Sequence, residues 1–326
     1  MIYSNKDVMK VSIIIPVKEI NDYVREAIPY LQKLDYPNYE IIIFPDILCE
    51  ESFKKTKIIE TGKIGPSEKR DLAMKYATGD IFAFIDDDAY PRADWLKNAI
   101  RHFTDESIAA VGGPAVTPES DSLSQKASGK VYESILAGGN TTYRYIPVGG
   151  IKEVDDFPTV NLIVRKVAFE AVGGFDSTFY PGEDTKLCHD ITKNLGKKII
   201  YDPEVLVWHH RRKIFIPHLK QVTNYGLHRG YFARVLPKTS FRIAYFIPSV
   251  FFLGIIIGPI VSAFLSQLWN AYFGVLFVYF ILLILSVSKI KDKRLAFLTI
   301  PAIFLTHLSY GLYFIKGFIF TKKLKR

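Results

Sequence analysis

Three apolar runs of five residues alternate with helical patterns in the first hundred residues of the chain. The runs, rich in isoleucine and phenylalanine, are residues 11–15, 40–44 and 81–85. Such runs are typical of strands that are buried on both faces. Apolar residues recur at helical spacing over 24–34, 66–77 and 94–103. The alternation of strand and helix predicts an α/β fold, with a mostly parallel, Rossmann-like sheet flanked by helices.

Polar residues follow each predicted strand at its carboxyl end, where parallel α/β sheets bind their ligands. Lys18 and Glu19 follow the first strand, Asp46 follows the second, and Asp86-Asp87-Asp88 follow the third. Three adjacent carboxylates repel one another, and a divalent cation that prefers oxygen ligands, Mg²⁺ or Mn²⁺, would relieve this repulsion. A solvated acidic turn is the alternative interpretation of these aspartates.

A second set of polar residues lies further along the chain. The sequence Gly173-Gly174-Phe175-Asp176 precedes the acidic pair Glu183-Asp184, which opens a predicted helix over 185–195. A short apolar strand ends in His209-His210, and Arg211-Arg212 follow it directly. Histidines are good partners for metals and for phosphates. This set is therefore a candidate to complete a site with the three aspartates.

Long stretches without charged side chains mark the C-terminal part of the chain. No Asp, Glu, Lys or Arg occurs from Ile243 to Ser288. A membrane span needs roughly 20 apolar residues, so two spans fit, and a buried core hairpin is the alternative. A third stretch, Leu295 to Ile315, lies between basic clusters at 289–294 and 322–326, and it either spans the membrane or is re-entrant or interfacial. We find no signal peptide before the first strand, and the positive-inside rule then places the N-terminal domain on the cytoplasmic side of the cell membrane.

The net charge of +9 on 326 residues is unevenly distributed. Residues 1–204 carry 25 basic and 32 acidic side chains, 205–242 carry eight basic and no acidic ones, and 243–326 carry nine basic and one acidic. We therefore predict a mildly acidic α/β domain over 1–204, a basic amphipathic interfacial segment over 205–242, and a membrane domain with two to three helices over 243–326. The basic segment either packs on an anionic membrane surface or closes over a diphosphate.

Composition excludes several classes of protein. An apolar share of 49% excludes a disordered chain, and two cysteines, Cys49 and Cys188, cannot staple a disulfide scaffold of this size. We expect no nucleic-acid partner, because a cleft lined with carboxylates repels a phosphate backbone.

The order of these motifs resembles family 2 inverting glycosyltransferases of the GT-A fold. The opening strand through Pro16, the Glu68-Lys69-Arg70-Asp71 helix, the DxD motif Asp86-Asp87-Asp88 and the pair Glu183-Asp184 occur in the family's order. The chain departs from the family at Lys18-Glu19 and around Asp46, so the base stays open between uracil and guanine. The resemblance implies that residues 1–204 form the nucleotide-sugar-binding and catalytic domain. It also implies nucleotide binding by eight residues, namely Pro16, Lys18, Glu19, Asp46, Arg70, Asp71, Asp86 and Asp87.

The resemblance also implies roles for the remaining candidates. Asp88, Asp86 and His209 would hold the divalent metal, and Asp184 would act as general base with Glu183 as the alternate. Further contacts with the acceptor or the diphosphate would come from Asn161, Arg211 and Arg212.

The function that follows is transfer of a sugar from a UDP- or GDP-linked donor to a hydroxyl acceptor, with inversion. The acceptor would be a glycan or a lipid-linked saccharide, because a general base is needed only for a hydroxyl nucleophile. A polyprenyl-phosphate glycosyltransferase and a membrane-anchored nucleotide-binding pseudoenzyme are the alternatives. A nucleotidyltransferase would need a Gly-rich loop after the first strand, and a transporter would need carboxylates within its spans.

Overall fold

The computed structural model describes residues 9–324, which form two compact units. The first unit contains residues 9–116 and 146–210, and the second contains 117–145 and 211–324. Residues 1–8 and 325–326, the outer ends of the first and third predicted domains, lie outside the described residues. The functional boundaries at 204 and 242 stay a prediction. The chain passes from the first unit into the second at two points, after residues 116 and 210.

Eleven strands and thirteen α-helices make up the described residues. The strands are β1 (Val11–Pro16), β2 (Tyr39–Phe44), β3 (Thr56–Ile58), β4 (Ile81–Ile85), β5 (Ala89–Pro91), β6 (Ile108–Gly112), β7 (Ala115–Val116), β8 (Lys152–Val154), β9 (Asn161–Arg165), β10 (Lys198–Tyr201) and β11 (Val207–His209). The helices are α1 (Asp22–Gln32), α2 (Pro66–Asp71), α3 (Ala73–Tyr76), α4 (Trp95–Ile100), α5 (Leu123–Glu133), α6 (Ile135–Gly138), α7 (Lys166–Ala171), α8 (Glu183–His189), α9 (Ile216–Val235), α10 (Pro237–Ser240), α11 (Ile243–Phe264), α12 (Trp269–Val287) and α13 (Lys293–Ile315).

The first unit is built on a mixed sheet of eight strands in the order β3-β2-β1-β4-β9-β6-β10-β8. Strands β3, β2, β1 and β4 run parallel to one another, and β9 pairs antiparallel with both β4 and β6. Every residue of β1, β2 and β4 is buried, as their predominantly apolar sequences predict, and the polar Ser12 and Glu40 are buried with them. The predicted mostly parallel α/β architecture is thus confirmed, with β9 and β8 as its antiparallel members.

A second, smaller sheet has the strand order β5-β11-β7. Its strand β5 follows β4 in sequence, with the three aspartates between them. Strand β11 pairs antiparallel with β5, so that His209 lies opposite Ala89. Because β5 begins directly after the three aspartates, this pairing brings His209, and His210 directly after it, to the aspartate loop.

The helices of the second unit include three that are long and apolar enough to cross a membrane. These segments are Ile243–Phe264, Ser266–Val287 and Lys293–Phe320, with mean hydropathies of 2.2, 2.2 and 1.6. The third segment, left open by the sequence, is continuous over 28 residues and is the most buried of the three. At 1.5 Å per residue it is about 42 Å long, enough to cross a bilayer.

The buried residues of α9 include two glycines and two histidines beside the apolar side chains of Val222 and Phe232. A Cβ atom on Gly226 would lie 2.7 Å from the carbonyl oxygen of Tyr310, and one on Gly230 would lie 2.1 Å from that of Phe314. Only glycine therefore allows the backbones of α9 and α13 to approach so closely. His218 links three helices, since its ring nitrogens lie 2.7 Å from Ser128 Oγ on α5 and 2.9 Å from Thr306 Oγ1 on α13.

Candidate active site

The carboxyl ends of β1 and β2 form one edge of the candidate site. The backbone N–H of Asp46 donates to the carbonyl of Lys18 at 2.8 Å, which holds the two predicted segments side by side. Pro16 is buried within β1, whereas the side chains of Lys18 and Glu19 are exposed. The structure thus places Lys18, Glu19 and Asp46 at the expected edge of the sheet, and their contacts with a nucleotide stay a prediction.

A buried lysine from α2 reaches this edge. Lys69 Nζ donates to the carbonyl of Val17 and forms an ion pair with the carboxylate of Asp46. The sequence gives no role to Lys69, because the position of a lysine in a short helix does not show the direction in which its side chain points. The ion pair holds the Asp46 side chain in place beside the ends of the strands.

Arg70, the next residue of α2, connects the two acidic motifs. Its guanidinium lies 2.7 Å from Asp86 Oδ1 and 3.0 Å from Glu183 Oε1, and its side chain is buried. Burial disfavours the charged guanidinium, but the carboxylates of Asp86 and Glu183 outweigh it, and the pKa of Arg70 is raised. Arg70 therefore stays charged and fixes Asp86 relative to the start of α8.

Asp71 points to the glycine loop that precedes the second acidic motif. Its Oδ1 accepts the backbone N–H of Phe175 at 2.8 Å. Gly174 has a positive φ of 75°, and a Cβ on it would lie 2.5 Å from that same oxygen. Burial raises the pKa of Asp71 to about 7. This carboxyl group thus fastens α2 to the loop, and its contact with a nucleotide stays a prediction.

The three adjacent aspartates take different directions. Asp86 and Asp88 each offer an oxygen, and His209 a ring nitrogen, such that these atoms all lie within 4.8 Å of one another. His209 Nε2 is 3.1 Å from Asp88 Oδ1. Two carboxylates and an imidazole suit a divalent cation of the Mg²⁺ or Mn²⁺ type. The structure therefore brings together the three residues predicted as metal ligands.

Asp87 turns away from this group toward α1. Asn21 Nδ2 donates to Asp87 Oδ2 at 2.6 Å, while Asn21 Oδ1 caps α1 by accepting the N–H of Val24 at 2.9 Å. Burial, followed by the charge of Asp88, raises the pKa of Asp87. Asn21 could have been recognised in sequence as a helix N-cap, but its bond to Asp87 depends on the tertiary fold.

His210 supports the loop from the other side. Its backbone N–H donates to the carbonyl of Asp88 at 3.0 Å, and its Nε2 lies 3.0 Å from Glu26 Oε2 on α1. The two histidines therefore divide their tasks, since His209 faces the aspartates and His210 attaches β11 to α1. Glu26 was another residue that sequence reasoning missed.

The two residues of the acidic pair at the start of α8 also differ in their contacts. Glu183 is buried and bound to Arg70, whereas Asp184 is partly exposed and its Oδ1 accepts the N–H of Thr185 at 2.7 Å. The ion pair occupies Glu183. Asp184 is thus the better placed of the two to meet a substrate.

Asn161 takes a structural position. Its side chain is completely buried, accepts from Trp95 Nε1 at 2.8 Å, and donates to the carbonyls of Gly113 and Val205 at 2.8 and 2.7 Å. The predicted acceptor contact is therefore corrected, because a fully buried and hydrogen-bonded amide cannot reach an acceptor. Arg211 and Arg212 lie in the second unit, and their predicted contacts with a diphosphate stay a prediction.

Comparison with known proteins finds a family model that matches about half of the chain. The profile of the family described as Glycosyl transferase family 2 matches residues 12–168. A pre-mycofactocin glycosyltransferase of Mycobacterium tuberculosis is 32% identical over 148 residues, which are 45% of this chain. The match spans only 30% of that relative's length.

Two further proteins resemble the chain over nearly its whole length. The dolichyl N-acetyl-alpha-D-glucosaminyl phosphate 3-beta-D-2,3-diacetamido-2,3-dideoxy-beta-D-glucuronosyltransferase of Methanococcus voltae is 27% identical, over 95% of this chain and 97% of that protein. The solved structure of a mannosyltransferase from Pyrobaculum calidifontis, in complex with GDP-Man and Mn²⁺, superposes with a TM-score of 0.61 at 16% identity. That superposition covers 98% of this chain and 89% of the other, and it shows the shared fold. Residues 12–168 therefore match a glycosyl transferase family 2 domain, the sheet has the GT-A-like fold that the motifs predicted, and apolar helices long enough to cross a membrane follow it.

Proposed function

We propose that this protein is a membrane-anchored glycosyltransferase. It transfers a sugar, with inversion, from a UDP- or GDP-linked donor to a hydroxyl group of a lipid-linked saccharide or a glycan. The observation that carries this proposal is the group formed by Asp86, Asp88 and His209 at the carboxyl end of β4, where ligand atoms from two distant segments lie within 4.8 Å of one another. In a parallel α/β sheet this edge is where a nucleotide ligand binds.

The side chains of this group fit a divalent cation. Asp86 and Asp88 offer hard oxygen ligands and His209 offers a borderline nitrogen, so Mn²⁺ is at least as suitable as Mg²⁺. When bound there, the cation would supply positive charge to a donor diphosphate that becomes more negative as the glycosidic bond breaks. Arg70 keeps Asp86 in place for this task, and the bond between His210 and Asp88 keeps the loop next to β11.

Asp184 is the general base of the proposed reaction. Its carboxylate takes the proton of the acceptor hydroxyl while that oxygen attacks the anomeric carbon, on the face opposite to the departing diphosphate. Glu183 is bound to Arg70 and orients the start of α8. The division of the pair supports Asp184 over Glu183 in this role.

The acceptor is proposed to be lipid-linked, and the chain to lie in the cell membrane with its catalytic unit on the cytoplasmic side. Three apolar helices support the membrane location. The name of the Methanococcus voltae relative, which aligns over 97% of its length, describes a dolichyl phosphate-linked sugar. A hydroxyl nucleophile also agrees with the partly exposed carboxylate of Asp184, which is the proposed base.

The proposed function can be tested with the purified full-length protein in detergent. We expect nucleotide release from one or more members of a panel of UDP- and GDP-sugars in the presence of Mn²⁺, and its loss in EDTA. Asp88→Asn should lose activity together with nucleotide affinity. Asp184→Asn should lose about 10²–10⁴-fold in rate while still binding nucleotide, as expected for removal of a general base.

Asp35→Asn is the matched control, because Asp35 is an exposed carboxylate that pairs with the exposed Lys97 on the surface. Its activity should equal that of the wild type. Full activity in EDTA or in Asp88→Asn would contradict the metal site, and a fully active Asp184→Asn would contradict the assignment of the base.

A further inference from the structure

The three apolar helices of the second unit do not alternate in direction. Helices α11 and α12 form an antiparallel pair, because residues 265–268 join them as a short turn. The ring centres of Phe251 and Tyr279 lie 4.3 Å apart in this pair, and a Cβ on Gly258 would lie 2.5 Å from the ring of Tyr272. If α11, α12 and α13 crossed a membrane one after another, α13 would have to run parallel to α11.

Helix α13 instead runs against α11. The ring centre of Phe246, near the start of α11, lies 4.7 Å from that of Phe314, near the end of α13. Further along α11, the ring centre of Phe251 lies 6.2 Å from that of Phe304. Residue numbers thus rise along α11 while those of its partners fall along α13. This is the direction that a third span would not have.

Helix α13 also runs against α12. The hydroxyl group of Tyr279 lies 2.8 Å from His307 Nδ1, and Val287, at the end of α12, belongs to the same apolar cluster as Leu295, near the start of α13. His307 is in the middle of the third apolar segment, and its ring centre also lies 6.0 Å from that of Phe251. A helix cannot be antiparallel to both members of an antiparallel pair unless it lies across them. Helix α13 therefore lies across α11 and α12, near the point where they meet.

Helices α5 and α9 accompany α13 along its length. Helix α5 packs against the first half of α13 through Ala127 and Val131. Helix α9 follows the second half, from His218, whose Nε2 lies 2.9 Å from Thr306 Oγ1, to Gly230, where a Cβ would lie 2.1 Å from a carbonyl oxygen of α13. The environment of α13 is therefore also the environment of these two helices.

The outer surfaces of α5 and α9 carry charged side chains. Lys220 and Arg234 are exposed on α9, and Lys126 of α5 pairs with the exposed Glu119 at 3.2 Å. Lys220 is two residues beyond His218, which is about 3 Å along the helix, so it lies beside the middle of α13. If α13 crossed a membrane, Lys220 would lie near the centre of the bilayer, where a charged side chain is costly.

The exposed side of α13 is mainly apolar. Phe297, Pro301, Leu312 and Ile319 are exposed and share one face of the helix at helical spacing. Lys316, at the edge of this stripe, is long enough to reach lipid headgroups. An apolar stripe on one side and charged neighbours on the other are typical of a helix that lies in the membrane–water interface.

We propose that α13 lies in the membrane–water interface and that α11 and α12 alone cross the bilayer. The apolar stripe of α13 faces the acyl chains, and the charged surfaces of α5 and α9 face the headgroups and water. The basic clusters at 289–294 and 322–326 then stay on the same side of the membrane, as the positive-inside rule favours. The partner of this surface is the lipid bilayer, and the inference does not depend on the transfer reaction.

Labelling of single cysteines distinguishes the two arrangements. The parent is Cys49→Ser, whose remaining Cys188 is buried, and the cysteines are introduced at exposed positions as Gln267→Cys, Lys291→Cys and Lys323→Cys. Bacterial cells that express the full-length protein are treated with a membrane-impermeant maleimide before and after permeabilisation. We expect Lys291→Cys and Lys323→Cys to react on one side of the membrane and Gln267→Cys to react on the other.

Lys291→Cys is the matched control, because position 291 lies just before α13 and position 323 lies just after it. If Lys323→Cys reacted on the same side as Gln267→Cys, α13 would cross the membrane and the proposal would be overturned. Reaction of all three cysteines on one side would overturn it too, because α11 and α12 would then not cross.

Depth in the bilayer gives an independent measurement. Nitroxide labels on Phe297→Cys, Leu305→Cys and Ile319→Cys report it in lipid vesicles through collisions with oxygen and with a water-soluble nickel complex. An interfacial α13 places the three labels at similar depths. A crossing α13 would place position 305 deepest, since positions 297 and 319 lie about 12 and 21 Å from it along the helix axis, and this result would contradict the proposal. Both measurements stay readable if the proposed function fails.

Discussion

Replacing Glu40 with glutamine tests how one buried carboxylate fastens the strands beneath the site. Glu40 Oε1 accepts from Ser12 Oγ at 2.8 Å, and from the backbone N–H and Oγ1 of Thr78 at 2.8 and 2.7 Å. Glu40 Oε2 lies 2.7 Å from Lys57 Nζ. Adjacent strands and the loop before β4 thus share one side chain. A glutamine side chain has only one oxygen that accepts hydrogen bonds. Its NH₂ group would take the place of the other carboxylate oxygen and would lie against a donor, either Lys57 or the Ser12 and Thr78 groups.

The size of the effect follows from the pKa of Glu40. Burial alone would raise it, but the hydrogen bonds from Lys57, Thr78 and Ser12 lower it from 4.5 to about 2. A difference of this size is equivalent to about 3 kcal/mol of folding free energy. Because the pKa is lower in the folded state, the stabilisation is complete above pH 4.5 and is lost as the pH falls toward 2.

The assay is denaturant unfolding of the purified protein, followed by far-UV circular dichroism between pH 7 and pH 3. We expect Glu40→Gln to be about 3 kcal/mol less stable than the wild type at pH 7, with a smaller difference at pH 3. The exposed pair of Asp35 and Lys97 provides the control, and Asp35→Asn should change stability by less than about 1 kcal/mol. A difference between wild type and Glu40→Gln that stays constant with pH would refute the reasoning.

Two further predictions concern α2. Arg70→Met should destabilise the first unit by about 3–5 kcal/mol and abolish transfer, because it leaves the carboxylates of Asp86 and Glu183 without their cation. Thermal unfolding measures the first effect, and the surface variant Lys97→Met should lose less than about 1 kcal/mol. Asp71→Ala should cost about 1–3 kcal/mol by leaving a backbone N–H without its acceptor. Asp71→Asn keeps a hydrogen-bond acceptor for this N–H. Because the pKa of Asp71 is raised in the folded state, the wild-type protein loses stability as the pH rises toward 7. Asp71→Asn should therefore be at least as stable as the wild type at pH 8. If the free energy of unfolding of Asp71→Asn varied with pH in the same way as that of the wild type, the predicted role of the Asp71 pKa would be wrong.

Much of the first unit could be predicted because its strands are local and continuous in sequence. Three fully buried apolar runs announce β1, β2 and β4, and the aspartates at their ends could be assigned to one edge by topology alone. Strand β9 was not assigned, since its antiparallel pairing with β4 and β6 depends on residues far apart in sequence. The helix predicted over 66–77 is interrupted at Leu72, where α2 ends and α3 begins.

The site shows the same limit at the level of side chains. Residue types identified Asp86, Asp88 and His209 as a group, but the partners of Lys69 and Asn21 are set by the tertiary fold. Asn161 illustrates the opposite error, because its motif pointed to a ligand while its amide completes the core. A sequence motif tells where polar chemistry lies, and the fold decides which side chains face a substrate.

The division of the second unit into two chain segments has a consequence for biosynthesis. Helix α5 packs through Ala127 and Val131 against apolar residues of the last helices, and 171 residues separate Leu136 from His307, which lies 3.0 Å from its carbonyl. On the ribosome, α5 is therefore made long before its packing partners, and it stays unsatisfied until α13 emerges. A shortened protein that ends before the apolar helices would leave this surface open to solvent. A well-behaved water-soluble version must therefore also redesign residues 117–145.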